Sequence, residues 1–288
     1  MSALRSERPV LILGSGRCGS TLLQSILNTN PDFVIWGEHN GFLRQIAAAY
    51  YDARHERFPD HSGLDAPARI RELRAPRHWP AWDNLTGEAE FIERFREFIR
   101  SFFADPAGKA TRWGFKEIRY GRGSKDQTLK LMLECFPETR IIILIRSPEA
   151  TIFSILSHWT FAAERQGKID LQDLDAQILA AAHSWNVQYM HLHNLAQAPG
   201  KCLKLRYEDL TDAGSYGRLS QFLDTSPFQY KTALARVKDA SKKTDPTAVL
   251  IRRRLRALQA EIEAATSSAR AAYGYDGPAP LRQVKTAK

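Results

Sequence analysis

Cysteine is scarce in this chain of 288 residues, and its distribution argues against two kinds of cysteine-dependent structure. The three cysteines, Cys18, Cys135 and Cys202, are far apart in sequence and form no Cys-x-x-Cys pair. Disulfide frameworks and structural zinc sites both depend on cysteines in pairs or at regular short spacings. The pattern therefore predicts a reduced, cytoplasmic protein without a structural metal.

Long apolar runs are also absent from the sequence. Residues 1–8 are polar and lead directly into the first apolar segment, and no later run is long enough to span a bilayer. We therefore expect neither a signal peptide nor a membrane span. The formal net charge of +9 suits an acidic ligand, although the same balance is common in proteins that bind nucleic acid or membrane surfaces.

Short apolar runs alternate with helical patterns along the chain, which predicts an α/β fold. We expect a three-layer sandwich with a central parallel sheet of about five strands flanked by helices. A helix is predicted to begin at Ser20 and Thr21, whose hydroxyls suit a helix cap. Strands are predicted near residues 10–13, 33–36, 112–115, 140–145 and 202–206.

The same chain is expected to form one domain over residues 1–288. A stretch rich in Arg, His and Pro at about 52–83 predicts an insertion or lid. Aromatic residues at helical intervals predict a core-facing helix over 88–103. From about residue 248 the pattern predicts one long basic helix followed by a Gly/Pro/Lys tail.

The most informative segment follows the first predicted strand. Residues 14–21 read Gly-Ser-Gly-Arg-Cys-Gly-Ser-Thr, which is the glycine frame of a phosphate-binding loop. Such a turn directs several backbone N–H groups toward one anion, and the dipole of the following helix adds a partial positive charge. Ser20, however, stands where nucleotide hydrolases have the lysine that reaches the outer phosphates of ATP or GTP.

A second departure from nucleotide hydrolases concerns the metal. Those enzymes hold magnesium with an acidic residue at the end of a later strand, whereas the apolar run 140–145 leads directly into Arg146. A cation at that position repels a divalent metal. The two departures together predict a metal-free site for a multiply anionic nucleotide in a P-loop-like fold.

Three segments, in this order, resemble sulfotransferases that use 3′-phosphoadenylyl sulfate (PAPS). Residues 9–38 are similar to the phosphosulfate-binding region of that family, with Gly16-Arg17-Cys18-Gly19-Ser20-Thr21 at the loop. Arg146 and Ser154 have the separation of the arginine and serine that follow strand four in the family. Residues 205–210, Leu-Arg-Tyr-Glu-Asp-Leu, are similar to its strand-five segment.

The resemblance is closest to the protein-tyrosine and carbohydrate sulfotransferase branch. The late Arg-Lys-Gly-x-x-Gly-Asp-Trp segment of the cytosolic small-molecule branch has no counterpart after Tyr207. The resemblance implies PAPS as the cosubstrate, adenosine 3′,5′-bisphosphate (PAP) as a product, and no metal and no nucleic-acid partner. The implied acceptor is a hydroxyl of a carbohydrate, a peptide tyrosine or a small natural product.

The resemblance also implies two separate cationic pockets for the donor. Arg146 and Ser154 would hold the 3′-phosphate, and Tyr207 would contact a phosphate edge. The 5′-phosphosulfate would be bound by the loop residues Gly16, Arg17, Cys18, Gly19, Ser20 and Thr21.

The transfer chemistry is assigned by the same resemblance. Glu38, in a Gly-Glu context just after the second predicted strand, would take the proton from the acceptor hydroxyl, and we expect its pKa to be raised. His39 is the alternative base, because small-molecule sulfotransferases use histidine. Lys116 would steady the bridging oxygen, and Arg17 would stabilise the leaving phosphate.

Two functions of other classes stay open at the level of the sequence. An atypical small-molecule or nucleoside kinase would consume ATP with magnesium, but the missing lysine and acid speak against it. A noncatalytic binder of nucleic acid or acidic lipid would use a basic helix near the carboxyl end. Its arginines are Arg252, Arg253, Arg254 and Arg256, which a solvated helix face also explains.

Overall fold

The structure is a computed structural model that describes residues 7–55, 66–74, 88–120, 127–164, 173–195, 200–211, 213–228 and 246–275. Its strands form one parallel sheet in the order β2-β3-β1-β4-β5. The predicted α/β fold with five parallel strands is thereby confirmed. The strands are β1 (Val10–Leu13), β2 (Phe33–Trp36), β3 (Arg112–Glu117), β4 (Arg140–Ile145) and β5 (Cys202–Arg206).

Helices connect the strands and cover both faces of the sheet. Short 3₁₀ turns follow two of the elements, at Asp105–Ala107 and Tyr207–Thr211. The first helices are α1 (Ser20–Leu27), α2 (Phe42–His55), α3 (Ala66–Arg74), α4 (Glu88–Phe103) and α5 (Thr128–Cys135). The later ones are α6 (Pro148–Glu164), α7 (Leu174–Leu195), α8 (Ala213–Leu223), α9 (Pro246–Ala257) and α10 (Gln259–Tyr273).

Alternation along the strands divides the apolar side chains between two cores. In β1, Leu11 and Leu13 belong to the core under α2, α4, α5, α7 and α10, whereas Val10 and Ile12 belong to the core under α1 and α8. Successive side chains of a strand point to opposite faces, so a strand that is apolar throughout must be covered on both sides. The sandwich has three layers for this reason.

The basic carboxyl-terminal segment forms two helices rather than the single one predicted. Helix α9 ends at Ala257 and α10 begins at Gln259, with Leu258 between them. Helix α9 packs mainly on α6, and α10 packs mainly on α7. Because α6 and α7 are separate helices, the chain changes direction at Leu258, so that α9 buries its apolar face on α6 and α10 buries its apolar face on α7.

The structure changes one further expectation and leaves another untested. Phe98 and Phe102 of α4 are exposed, whereas Phe103 is buried in the core, so the predicted aromatic stripe is only partly internal. The predicted insertion at 52–83 falls mainly outside the described residues, which include only the end of α2 and the helix α3 there. Within the part of the chain that the structure describes, no helix is long and apolar enough to cross a membrane.

Candidate functional site

The glycine loop lies at the carboxyl end of β1 and passes directly into α1. The cap of α1 is Gly19 at φ +97°, with no side-chain hydrogen bond, so the expected hydroxyl cap is replaced by a glycine turn. A Cβ on Gly19 would lie 2.2 Å from the Tyr207 ring, and one on Gly14 would lie 2.5 Å from the Leu144 carbonyl oxygen. Both glycines are therefore required by close approach, and the first amides of α1 have no side-chain cap competing with a ligand.

Helix α7 supports the loop from the other side. The Ser15 amide donates to the hydroxyl of Tyr189 (3.1 Å), and this hydroxyl donates to the Leu144 carbonyl (2.9 Å). The side-chain amide of Gln188 donates to the Gly14 carbonyl (3.2 Å) and to two carbonyls just after β3. Tyr189 and Gln188 thus join the loop to β4 and β3. No motif in the sequence indicated this role.

Cys18 faces the core rather than the open side of the loop. Its side chain is fully buried, and burial raises the pKa of the thiol. A buried, protonated thiol fills the turn and is not a nucleophile. Among the predicted loop residues, Cys18 therefore has only its backbone to offer a ligand.

Arg17 and Ser154, which the sequence places in different pockets, are in direct contact. The Arg17 guanidinium donates through Nε to Ser154 Oγ at 3.2 Å. Arg146 donates through Nη1 to the Arg17 carbonyl oxygen at 3.4 Å. Since the loop and the start of α6 meet through these bonds, the two predicted cationic pockets form one continuous site.

The two arginines of this site have no carboxylate partner among the residues that the structure describes. Within the described residues, neither Arg17 nor Arg146 lies within 4.0 Å of an acidic oxygen, and the buried Nε of Arg146 has no hydrogen-bond acceptor. The Arg146 guanidinium lies over the ring of Tyr207, 4.4 Å from its centroid. Tyr207 therefore supports both Arg146 and the loop glycine Gly19, and the pair of arginines presents uncompensated positive charge.

The start of α6 is held by residues from the last described segment of the chain. Glu208, after β5, accepts hydrogen bonds from the Ser147 amide (3.0 Å) and from the Tyr275 hydroxyl (2.7 Å). Arg270 of α10 is almost fully buried and forms an ion pair with Glu149 in the first turn of α6. The segment after residue 245 is thus joined to the helix that carries Ser154, and the sequence motifs, which stop at Leu210, missed it.

A second group of charged residues lies at the ends of β2 and β3. Trp36 is paired in register with Phe115, so Glu38, two residues after β2, lies beside Lys116 near the end of β3. Lys116 donates to Glu38 Oε1 at 2.7 Å, and Arg119 donates to Glu38 Oε2 at 3.0 Å. The predicted pair of Glu38 and Lys116 is therefore brought together, and Arg119 is an additional member.

Glu117 stands behind Arg119 as a buried counter-charge. Its Oε1 accepts from the Arg119 guanidinium at 2.8 Å and from the backbone amides of Ile118 (2.9 Å) and Arg119 (3.1 Å). The Glu117 side chain is fully buried. Three hydrogen bonds compensate the loss of water around Oε1, whereas the buried Oε2 has only His39 Nε2 near it, at 3.6 Å, among the described residues.

His39 lies inside the core, on the far side of Glu117. Its side chain is 3% exposed, its Nε2 is 2.9 Å from the Tyr120 hydroxyl, and its ring packs edge-on against Phe42 and Phe115. Glu38, by contrast, has a side chain that is 26% exposed. Of the two alternative bases, only Glu38 faces the open side.

The pKa of Glu38 is shifted in the opposite direction to the one expected. Burial raises it, but hydrogen bonds and the positive charges of Lys116 and Arg119 outweigh burial, so the pKa of Glu38 is lowered. The sequence showed the lysine but gave no sign that two cations would flank the carboxylate. Across the residues described, no group of three or more His, Cys, Asp and Glu side chains is arranged to hold a metal ion.

A parallel sheet with a glycine loop before its first helix defines a nucleotide-binding fold of the P-loop-like class. A model of the sulfotransferase family matches residues 9–229, more than half of the chain, so this protein belongs to the sulfotransferase family. Among curated proteins, no significant sequence match is found.

Solved sulfotransferase structures share the fold. The sulfotransferase domain from the Synechococcus PCC 7002 olefin synthase is 19% identical, with a TM-score of 0.53 over 94% of this chain and 97% of that domain. A sulfotransferase from Alicyclobacillus acidocaldarius is 17% identical, with a TM-score of 0.50 over 91% of this chain and 95% of that one. At such identities the likeness establishes the architecture, and the chemistry must be argued from the residues of this chain.

Proposed function

We propose that this protein transfers a sulfuryl group from PAPS to the hydroxyl of an acceptor and releases PAP. One observation carries the proposal: Arg17 and Arg146 meet at the glycine loop with no carboxylate partner in the described chain. Two such charges, next to the start of a helix, favour the binding of an anionic ligand. PAPS has a charged group at each end of its ribose and matches the family to which the chain belongs.

In this proposal the donor is bound by the loop and by the start of α6. The 5′-phosphosulfate is held by Arg17, by the hydroxyls of Ser20 and Thr21, and by the backbone amides of Gly16, Cys18 and Gly19. Arg146 and Ser154 hold the 3′-phosphate, with Tyr207 supporting Arg146 from below. Because Arg17 contacts Ser154, both residues lie within reach of one bound nucleotide in this proposal.

The transfer step moves one proton and one sulfuryl group. The acceptor oxygen attacks the sulfur and forms the new S–O bond, while the bond between sulfur and the bridging oxygen of the phosphosulfate breaks. Glu38 takes the acceptor proton, and Lys116 and Arg17 stabilise the negative charge that develops on the departing phosphate. We assign the base to Glu38 rather than His39, because the imidazole is enclosed by aromatic rings.

The two alternative functions have weaker physical support. A kinase would need a loop lysine and an acidic residue for magnesium, and these positions hold Ser20 and Arg146. A binder of nucleic acid would use the arginines of α9, but two of them have structural partners. Arg254 is paired with Asp175, and Arg252 lies over the ring of Phe153, 4.7 Å from its centroid.

Calorimetric titration tests the donor assignment directly. The wild type is titrated with PAP and with ADP, each with and without magnesium. Arg253→Met, which loses one exposed positive charge on α9, is titrated in the same way to control for a change in net charge alone. We expect PAP to bind more tightly than ADP without any need for magnesium. Tighter binding of ADP with magnesium would favour the kinase and overturn the proposal.

Transfer itself is measured with PAPS labelled with ³⁵S. Hydroxyl acceptors of three classes are compared, namely oligosaccharides, tyrosine peptides and small phenols or alcohols. We expect label to appear on at least one class and to disappear in Glu38→Gln. Tight PAP binding without transfer to any hydroxyl would leave a PAP-binding protein and would contradict the enzymatic assignment.

A further inference from the structure

Arg119 is the charged residue beside Glu38 that the sequence motifs do not include. Its guanidinium is 40% exposed, and its Nη1 bridges two carboxylates, Glu38 at 3.0 Å and Glu117 at 2.8 Å. Glu117 is rigidly fixed, since it is fully buried and also accepts two backbone amides. Arg119 is therefore held by the buried Glu117 and is also paired with Glu38, the proposed base.

Lys116 holds the other oxygen of Glu38 but has a second task in the transfer step. Its Nζ lies 2.7 Å from Glu38 Oε1, and its side chain is only 10% exposed. Lys116 is level with Ile12 in the neighbouring strand β1, just before the glycine loop. The proposed function assigns its ammonium to the bridging oxygen of the donor. When charge develops on the leaving phosphate, that charge competes with Glu38 for Lys116.

We propose that Arg119 is a positioning residue that keeps the Glu38 carboxylate in place toward the acceptor while Lys116 turns to the leaving group of the donor. The inference rests on the proposed function, because it assigns Glu38 and Lys116 the roles given above. Arg119 does not contact the reacting atoms; it acts through Glu38, and Glu117 in turn fixes Arg119.

Arg119 and Lys116 differ in chemistry, and the proposal assigns them different roles. The planar guanidinium of Arg119 places one nitrogen, Nη1, between both carboxylates, whereas lysine is a flexible point charge that can move between partners. Among the described residues, the charged groups against Glu38 are Lys116 and Arg119, with Glu117 and His39 behind Arg119. Loss of Arg119 would leave Glu38 with one cation, which is shared with the donor.

The test compares Arg119→Met and Arg119→Lys with the wild type, with Arg253→Met as the matched loss of one exposed positive charge. The first readout is the pH profile of kcat/KM. Removal of a cation raises the pKa of Glu38, so the base becomes protonated at a higher pH. We expect the acid limb to move up by about one pH unit in Arg119→Met, the usual size of the effect of one adjacent opposite charge.

Arg119→Lys keeps the charge but loses the planar guanidinium and its fixed position between the two carboxylates, so its acid limb should lie between those of the wild type and Arg119→Met. Affinity for PAP should stay within about twofold in all variants, because Arg119 is not proposed to touch the donor. A limb that stays in place in Arg119→Met would overturn the proposal, even if activity fell.

A second readout separates this proposal from the proposed function. The titration of the Glu38 carboxyl is followed by ¹³C NMR in protein labelled at glutamate, with Glu38→Gln used to assign the signal. We expect the midpoint to rise in Arg119→Met and to stay unchanged in Arg253→Met. If the wild type transferred no sulfuryl group but the midpoint still rose, the proposed function would fail while the pairing stood. An unchanged midpoint in an active enzyme would reject only the role of Arg119.

Discussion

The proposed donor side, with Arg17 and Arg146, and the proposed acceptor side, with Lys116 and Arg119, are both rich in cations, but their charges are arranged in opposite ways. Arg17 and Arg146 have polar and aromatic neighbours and no acidic partner within the described chain. On the acceptor side, Lys116 and Arg119 are both paired with Glu38, and Arg119 is also paired with Glu117. One region carries surplus positive charge, and the other is balanced by its own residues.

This difference distinguishes a surface that binds a charged ligand from a preorganised network of charges. A cation without a counter-ion binds an external anion and gains most when that anion arrives. A balanced network gains nothing from a further anion, but it fixes the position and the protonation of the groups in it. Affinity for the donor should therefore depend on the donor side, and turnover should depend on the acceptor side.

The largest expected effect is the loss of turnover in Glu38→Gln. Removal of a general base lowers kcat by about 10²- to 10⁴-fold, and affinity for PAP should change little, because glutamine keeps the shape of the side chain. The measurement is steady-state transfer of ³⁵S together with calorimetry of PAP. Turnover at the parental rate would mean that another group takes the proton and that the balanced network has a different purpose.

The next largest effect is expected on stability, in Arg270→Met. The change leaves Glu149 without its partner in a partly buried position, which costs about 3 kcal/mol of unfolding free energy. Since Glu149 lies in the first turn of α6, affinity for PAP should fall more than affinity for 5′-AMP, which lacks the 3′-phosphate. Urea unfolding and calorimetry measure the two effects, with Arg253→Met as the control. Equal losses for both nucleotides would show that α10 supports the fold without positioning the 3′-phosphate site.

Arg146→Ala should weaken PAP binding by about 1.5–3 kcal/mol, the range for loss of a charge-assisted hydrogen bond. The affinity for 5′-AMP should change less, since Arg146 is assigned to the 3′-phosphate. Calorimetry with both nucleotides at one ionic strength provides the comparison. If PAP bound Arg146→Ala as tightly as the wild type, the surplus charge on this side would not be a donor site.

Ser154→Ala should have the smallest effect, a loss of about 0.5–1.5 kcal/mol in affinity for PAP, because a neutral hydroxyl is removed. The variant also removes the acceptor of the Arg17 Nε, so Arg17 becomes free to turn to the ligand. The measurement is again calorimetry, and Ser267→Ala is a control on the exposed face of α10. Tighter binding in Ser154→Ala would mean that Ser154 restrains Arg17 instead of contacting the phosphate.

Much of the fold was predictable because it depends on local patterns. β1 and β2 are apolar runs of four residues, β4 is apolar after Arg140, and β3 and β5 combine apolar with charged residues. Helices α1 and α4 follow helical periodicity in the positions expected. The carboxyl-terminal helices were less predictable. The bend at Leu258 has no Gly or Pro to mark it, and it follows from packing on α6 and then on α7.

The candidate site was predictable where chemistry depends on neighbours in sequence, and not where it depends on neighbours in space. The loop, Arg146, Ser154, Glu38 and Lys116 could each be singled out from their segments. Nothing local indicated that α7 would supply Gln188 and Tyr189 beneath the loop. The same holds for the contact of Arg17 with Ser154, which are 137 positions apart.

From the sequence alone follow the alternation of strands and helices, the glycine frame that is expected to bind an anion, and the serine at the position of the usual lysine. These features follow from residue type and spacing, which act over a few positions of the chain. Only the tertiary structure decided which charges are balanced. Parallel strands bring their carboxyl ends to one edge of the sheet, where Glu38 meets Lys116 and Arg119 while Arg17 and Arg146 meet no acid among the residues described. Whether a cation is free or paired depends on that assembly, because Coulomb energies are set by distance in space and not along the chain.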